Sequence, residues 1–281
     1  YHHYCYLPLY IFCGDHVLCA RLRPSSIGPA VGSKKEVARI VERIRLRWPR
    51  VRIILRGDSG FCVDELMTWC EQNHVEYVLG LARNKRLEAL VADALAEAKQ
   101  QWEVTGKPAR VFIEFEHETL SGTWNRKRRV VAKAEHIDGK SNPRFIVTSL
   151  AAETSEKRAL YEETYCARGD MENRIKEQFV LFADRVSAST MRANQLRIYF
   201  SVIAYTLMNG LRRLGLRATA LATAQVGTIR LKLLKIGALV RVTVRKVWVR
   251  MASSYPYQEL FAQVVQQLRQ YPDPAIKTLV E

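Results

Sequence analysis

The run Val51-Arg-Ile-Ile-Leu-Arg-Gly-Asp-Ser-Gly-Phe61 reads as a short apolar strand that stops at Asp58, between Gly57 and Gly60. Such a strand suits a sheet covered on both faces. Working outward, Ser33 to Trp48 reads as a helix, with Val37, Ile40, Val41 and Ile44 on one face and Pro49 ending it. Ser33 with Glu36 makes a capping-box pattern at its start. Downstream, Asp64 to Asn73 reads as a helix, Tyr77 to Ala82 as a strand and Lys85 to Gln101 as a helix. This alternation predicts an α/β sheet. A carboxylate at the C-terminal end of a core strand is where α/β sheets place their sites, although Asp58 would serve equally well as a turn or N-cap residue.

A second motif, Tyr165-Cys-Ala-Arg-Gly-Asp-Met-Glu-Asn-Arg-Ile-Lys176, lies in a predicted helix from about Ser155 to Gln178. At about 100° per residue, Arg168 falls about 60° and Glu172 about 20° from Tyr165, so the three share one face. Mid-helix glutamates are usually solvated, and Lys176 is a possible i+4 partner for Glu172. Asp170 and Glu177 fall off that face and read as surface charges. Two carboxylates delivered by a strand end and a helix suggest a divalent-metal site for cutting a nucleic-acid backbone.

Charge supports that substrate class. The 281 residues carry a formal net charge of +16, with 48% hydrophobic residues, enough for a sizeable core. From Arg21 to Arg56 there are eleven Lys/Arg against Glu36 and Glu42, and from Leu211 to Arg250 ten with no acidic residue. Two segregated basic blocks fit a polyanionic partner better than a merely solvated surface. The six cysteines include no Cys-x-x-Cys pair, so reduced, mostly buried thiols are expected, with neither a zinc site nor a disulfide framework. The most apolar helical stretch, Ile198 to Leu211, is short of a membrane span.

Between about residues 102 and 150 the pattern changes to strands at Val111–Glu116, Arg129–Ala134 and Arg144–Ser149, with Gly122 and Gly139 in turns. Trp124 lies in Ser-Gly-Thr-Trp-Asn-Arg-Lys-Arg-Arg, where an aromatic among cations could stack on an unpaired base or simply close a hairpin. Tyr4–Cys13 and Val17–Arg23 read as strands, Thr190–Arg213, Ile229–Leu234 and Tyr257–Arg269 as helices, and Ala238–Val249 as one strand with a cationic face.

At these residues the chain resembles a bacterial insertion-sequence transposase of the DDE type, in the branch marked by a Tyr-x2-Arg-x3-Glu signature. Tyr165, Arg168 and Glu172 match that signature, and residues 56–61 match its second-aspartate motif. Residues 4–14, 77–82 and 230–238 resemble the group as well. The resemblance implies an α/β fold, a ribonuclease-H-like mixed sheet with flanking helices and a β-rich insertion before the glutamate helix. The expected divisions are 1–101 for the first part of the core, 102–150 for the insertion, 151–213 for the core's second part and 214–281 for a basic C-terminal region.

It further implies two Mg²⁺ or Mn²⁺ ions held by Asp58 and Glu172, with Tyr165 and Arg168 on phosphates near the cut. Arg56, Trp124, Arg126, Lys127 and Arg128 are the further DNA-contact candidates, and Lys176 would replace the lysine that the branch often carries where Phe179 stands. Implied partners are double-stranded DNA, as terminal inverted repeats and target, and a second copy in a DNA-bound homodimer, in a bacterial cytoplasm with no membrane. The family's first aspartate precedes the segment that opens this chain, and Asp15 is a poor substitute. The sequence as given is therefore expected to lack one ligand and its first strand, and to be inactive alone. The alternatives are a non-catalytic DNA-binding remnant or another nuclease of the same fold.

Overall fold

The computed structural model describes residues 5–120 and 122–271; the expected start of the first strand at Tyr4 lies outside them. In chain order the regular elements are β1 (Leu9–Cys13), β2 (His16–Arg21), α1 (Ser33–Arg47), β3 (Ile54–Gly57), α2 (Asp64–Gln72), β4 (Glu76–Leu81), α3 (Lys85–Leu90), α4 (Ala92–Thr105), β5 (Ala109–His117), β6 (Arg128–Ile137), β7 (Lys140–Ser141), β8 (Arg144–Thr148) and α5 (Lys157–Ala159). After α5 the helix continues through a π-helical stretch, Leu160–Tyr165, and a 3₁₀ turn, Cys166–Gly169, into α6 (Asp170–Gln178). Then follow α7 (Met191–Leu214), α8 (Val226–Ile229), β9 (Ala238–Val242), β10 (Val247–Met251) and α9 (Gln258–Arg269).

The chain divides into two compact units, residues 1–9 with 23–171, and residues 10–22 with 172–281. The first is built on a six-stranded mixed sheet in the order β3-β4-β8-β6-β5, with β7 pairing β6. β3 and β4 are parallel, and the remaining pairs are antiparallel. Strands and helices of this kind are consistent with a ribonuclease-H-like α/β fold. The strands expected to form an insertion continue this sheet, because β8 pairs along β4 from Val78↔Thr148 to Leu81↔Phe145.

Alternation along β4 serves the two faces of the sheet. Val78 packs with Phe112, Val131, Ile146, Leu160 and Tyr161 in one buried cluster, against which Ile54 and Tyr165 rest. Tyr77 points the other way, and its hydroxyl donates to Glu71 of α2 (2.7 Å). Among the described residues β3 pairs only with β4.

Several local expectations change. The cap of α1 is Gly32, whose positive φ of 78° suits a glycine, while Ser33 is the first helical residue and its hydroxyl bonds Ala30 O (2.6 Å). Glu36 therefore pairs with Arg39 (3.0 Å) instead of closing a capping box. The single helix expected over Lys85–Gln101 breaks at Val91, which is fully buried with φ −111° and ψ 12°. All six cysteines are free, but only Cys19 and Cys70 are buried, and Cys5, Cys13 and Cys166 are exposed.

In the second unit α7 packs on β2, and Gln195 acts as a side-chain rung on that strand. It accepts from Leu22 N (2.6 Å) and donates to Ala20 O (3.0 Å). The core gathers Tyr205, Met208, Leu216, Val226, Ile229 and Val264. Glu177, expected to be a surface charge, has a side chain only 15% exposed. It pairs with Arg212 and accepts from Val226 N (2.9 Å) at the start of α8. Asp15 pairs with Arg174 of α6. The strand expected over Ala238–Val249 folds back on itself as the antiparallel β9–β10 hairpin. Among the described residues no helix is long and apolar enough to cross a membrane.

Candidate active site

Asp58 directly follows β3, at the level of Gly80 on β4, since the register pairs Gly57 with Leu79. Its extended backbone (φ −79°, ψ −175°) opens the short 3₁₀ turn Ser59–Phe61, and Oδ1 accepts from Gly60 N at 2.9 Å. Asp58 is thus an N-cap, as the bland reading of the sequence allowed. The same bond fixes the carboxylate while leaving Oδ2 without a protein partner among the described residues. The side chain is exposed. A hard divalent cation prefers such oxygens. Among the described residues no three His, Cys, Asp or Glu side chains form a metal-binding group, so the fit rests on single carboxylates.

Tyr165 reaches the same strand end. An added Cβ at Gly80 would lie 2.6 Å from the Tyr165 hydroxyl, 2.9 Å from Ser59 N and 3.2 Å from Asp58 C. Glycine is therefore required at position 80 because three groups converge there, not because of backbone strain. The Tyr165 ring is anchored beside Tyr161 (centroids 5.5 Å), which packs on Phe112 (5.7 Å). Burial, with the nearby Asp58 charge, raises the Tyr165 pKa, against the opposing pull of Arg168. The phenol consequently stays protonated at neutral pH and remains a donor.

Arg168 lies over the Tyr165 ring, its guanidinium 5.4 Å from the ring centroid. The local helix geometry explains this contact. In an α-helix the pair would be offset by about 60°, whereas in a 3₁₀ turn residues i and i+3 eclipse. Arg56, at the end of β3, donates from Nη1 to Thr164 O (2.9 Å), tying the strand that precedes Asp58 to the π-helical stretch that ends in Tyr165. Glu172 and Lys176 belong to the second unit, where both lie exposed on α6.

The expected DNA contacts at residues 124–128 take another form. Trp124 is 8% exposed, with His117 edge-on at 5.7 Å and the Arg128 guanidinium 5.6 Å from its ring. The Arg128 side chain is 2% exposed. It donates to Glu71 Oε1 (2.8 Å), Asp64 Oδ1 (2.8 Å), Thr68 Oγ1 (3.1 Å) and Asn125 Oδ1 (3.0 Å). Neither side chain is presented to a nucleic acid in this arrangement; the indole closes a small core, as the alternative reading had it. Arg126 stays more than half exposed while pairing with Glu71 (2.6 Å), and Lys127 lies 3.9 Å from Glu118.

Sequence reasoning did not single out Gly80, although a glycine inside a strand is a recognised signal of close approach. Gly80→Ala is expected to push Tyr165 off the strand end at a cost of about 1–3 kcal/mol, typical of overpacking. A thermal melt would read the cost, and near-ultraviolet circular dichroism the displaced tyrosine. A variant with unchanged melting and spectrum would mean that the convergence is slack.

A family model described as Transposase DDE domain group 1 matches residues 1–273 of the chain. No curated protein matches it significantly.

Proposed function

The chain belongs to the DDE transposase family, and from that premise we propose that it cuts and joins DNA strands at the ends of an insertion sequence, in a metal-dependent reaction. The observation that carries this reading is the convergence of Tyr165 and the Asp58 backbone at Gly80, with Arg168 over the Tyr165 ring. A carboxylate, a neutral phenol and a permanent cation at one strand end suit a phosphodiester substrate. Arg168 would neutralise a phosphate oxygen, and its stacking on Tyr165 holds the guanidinium plane in place. Tyr165 would donate a hydrogen bond to the same group. Arg56 positions the strand end and presents a further cation to the backbone.

The family normally uses divalent metal ions. Asp58 and Glu172 would hold two Mg²⁺ or Mn²⁺ ions, whose chemistry is activation of the attacking hydroxyl and stabilisation of the leaving oxygen. Lys176, one turn beyond Glu172, would contribute phosphate contacts, as would Arg126 and Lys127 at their exposed positions. The partners would be terminal inverted repeats and target DNA, with a second copy of the chain in the DNA complex. The compartment would be the bacterial cytoplasm.

The testing experiment is cleavage of a labelled element-end duplex by the full-length protein with Mg²⁺ or Mn²⁺, before and after chelation. Cutting that chelator abolishes and either ion restores is the expected result. Cutting that survives chelation would overturn the metal assignment, and DNA binding without cutting under any condition would favour a non-catalytic remnant.

A further inference from the structure

The second basic block holds a surface that the candidate active site does not use. In the β9–β10 hairpin, register partners are Val242↔Val247, Arg241↔Trp248, Val240↔Val249, Leu239↔Arg250 and Ala238↔Met251. Side chains of paired residues lie on the same face of a ribbon, and successive residues alternate. One face is therefore wholly apolar, while the other carries Arg241, Trp248, Arg250 and Leu239. Lys246 extends the cationic face, its ammonium 5.8 Å from the centre of the Trp248 ring. Thr243 locks the tip by bonding Lys246 through backbone and hydroxyl (2.8 and 2.9 Å). All ten strand residues are exposed.

The charge balance separates this hairpin from the other arginine-rich stretches. In the first unit Arg110, Arg128 and Arg129 are paired with Glu135, Asp64, Glu71 and Glu114. Among the described residues none of Arg241, Arg245, Lys246 and Arg250 has a carboxylate within ion-pair distance, and the sequence from 211 to 250 contains none. Four cations without a carboxylate partner, beside an exposed indole, make a local positive potential that attracts a polyanion. The shape suits a duplex, because a two-stranded antiparallel ribbon fits the major groove, about 12 Å wide.

We propose that the β9–β10 hairpin is a DNA-binding ribbon, its Arg241, Lys246 and Arg250 neutralising phosphates and Trp248 packing against the sugar–base edge. The proposal rests on the reading of the chain as a DNA-processing enzyme and adds a second, non-catalytic contact surface. Its three cations hold DNA without selecting sequence, since phosphate contacts position and carry no base information.

The test measures duplex binding against salt for the full-length protein and its Arg241→Ala/Lys246→Ala/Arg250→Ala variant, with light scattering and circular dichroism in parallel. Each lost phosphate contact should flatten the log–log salt slope by about 0.9, so the triple variant should lose about 2–3 from the slope across unrelated sequences. The exposed positions should leave the spectrum unchanged, and Arg241→Lys/Arg250→Lys should keep the slope. Wild-type binding with an identical slope in the triple variant overturns the ribbon while leaving the transposase reading intact. A changed molecular mass with an unchanged slope also overturns it, and assigns the hairpin to self-association through its apolar face. No DNA binding by the wild type, with Mg²⁺ present, would overturn the DNA-processing reading and the ribbon with it.

Discussion

Asp58→Asn in the full-length protein is expected to lower strand cleavage by roughly 10³-fold or more, the scale of losing an essential group, while end binding stays near wild type. The substitution isolates charge from structure. Asparagine caps a turn about as well as aspartate, and its oxygen can still accept from Gly60 N, now at 2.9 Å. The 3₁₀ turn, Gly80 and Tyr165 should therefore stay where they are, and only the anionic ligand is lost. Glu172→Gln, exposed on α6, should behave in the same way. Single-turnover cleavage alongside a gel-shift titration separates the two quantities. Cutting within tenfold of wild type by either variant would remove that residue from the catalytic assignment, whereas binding and cutting lost together would point to misfolding.

Arg128→Met should be the most destabilising single change in the first unit, by about 3–5 kcal/mol, the cost of stranding buried charges by removing their partner. That corresponds to a fall in melting temperature of roughly 10 °C or more. Burial alone would raise the pKa of Glu71 and Asp64, but hydrogen bonds outweigh it and hold both below the usual carboxylate range. For Glu71 these come from Arg128, Tyr77 and Arg126; for Asp64, from the Asn125 N–H and Arg128. A depressed carboxylate contributes stability that is complete above its unfolded-state value, near 4, and is lost as pH falls through the lower folded value. Without the guanidinium Glu71 keeps only Tyr77 and Arg126 against its burial, so it takes up its proton earlier and acid unfolding should begin at higher pH. Melts at neutral and mildly acidic pH would check both parts. A wild-type melting temperature would show the network to be dispensable and return Arg128 to the pool of DNA contacts.

The parts that were legible in the sequence are those governed by local pattern. The alternation from Ser33 to Leu81 gave strands and helices nearly in place, because each buries one face with its own periodicity. Asp58 could be placed at a strand end from its flanking glycines, and Tyr165 and Arg168 on one face from their spacing. What was missed depends on distant partners. Trp124 and Arg128 sit in a run of cations, and nothing nearby shows that Asp64 and Glu71, 57–64 positions earlier, will enclose Arg128. Glu177 looked solvated because Arg212 and Val226 are 35 and 49 residues away. The hairpin tip at Thr243–Lys246 contains neither glycine nor asparagine, so the alternation read as one continuous strand. Ser33 looked like a cap because the sequence cannot say which side of Gly32 the helix begins.

The change of helical pitch between Leu160 and Gln178 gives the Tyr-x2-Arg-x3-Glu spacing a mechanical meaning. The three residues from Tyr165 to Arg168 run through the 3₁₀ turn Cys166–Gly169, which brings i and i+3 into line, and the following steps to Glu172 run in α geometry. The motif thus behaves as a ruler with two gauges. One residue inserted or removed between Tyr165 and Arg168 would spin every later side chain by roughly a quarter to a third of a turn. A one-residue insertion there is expected to part Arg168 from the Tyr165 ring with every motif residue still present.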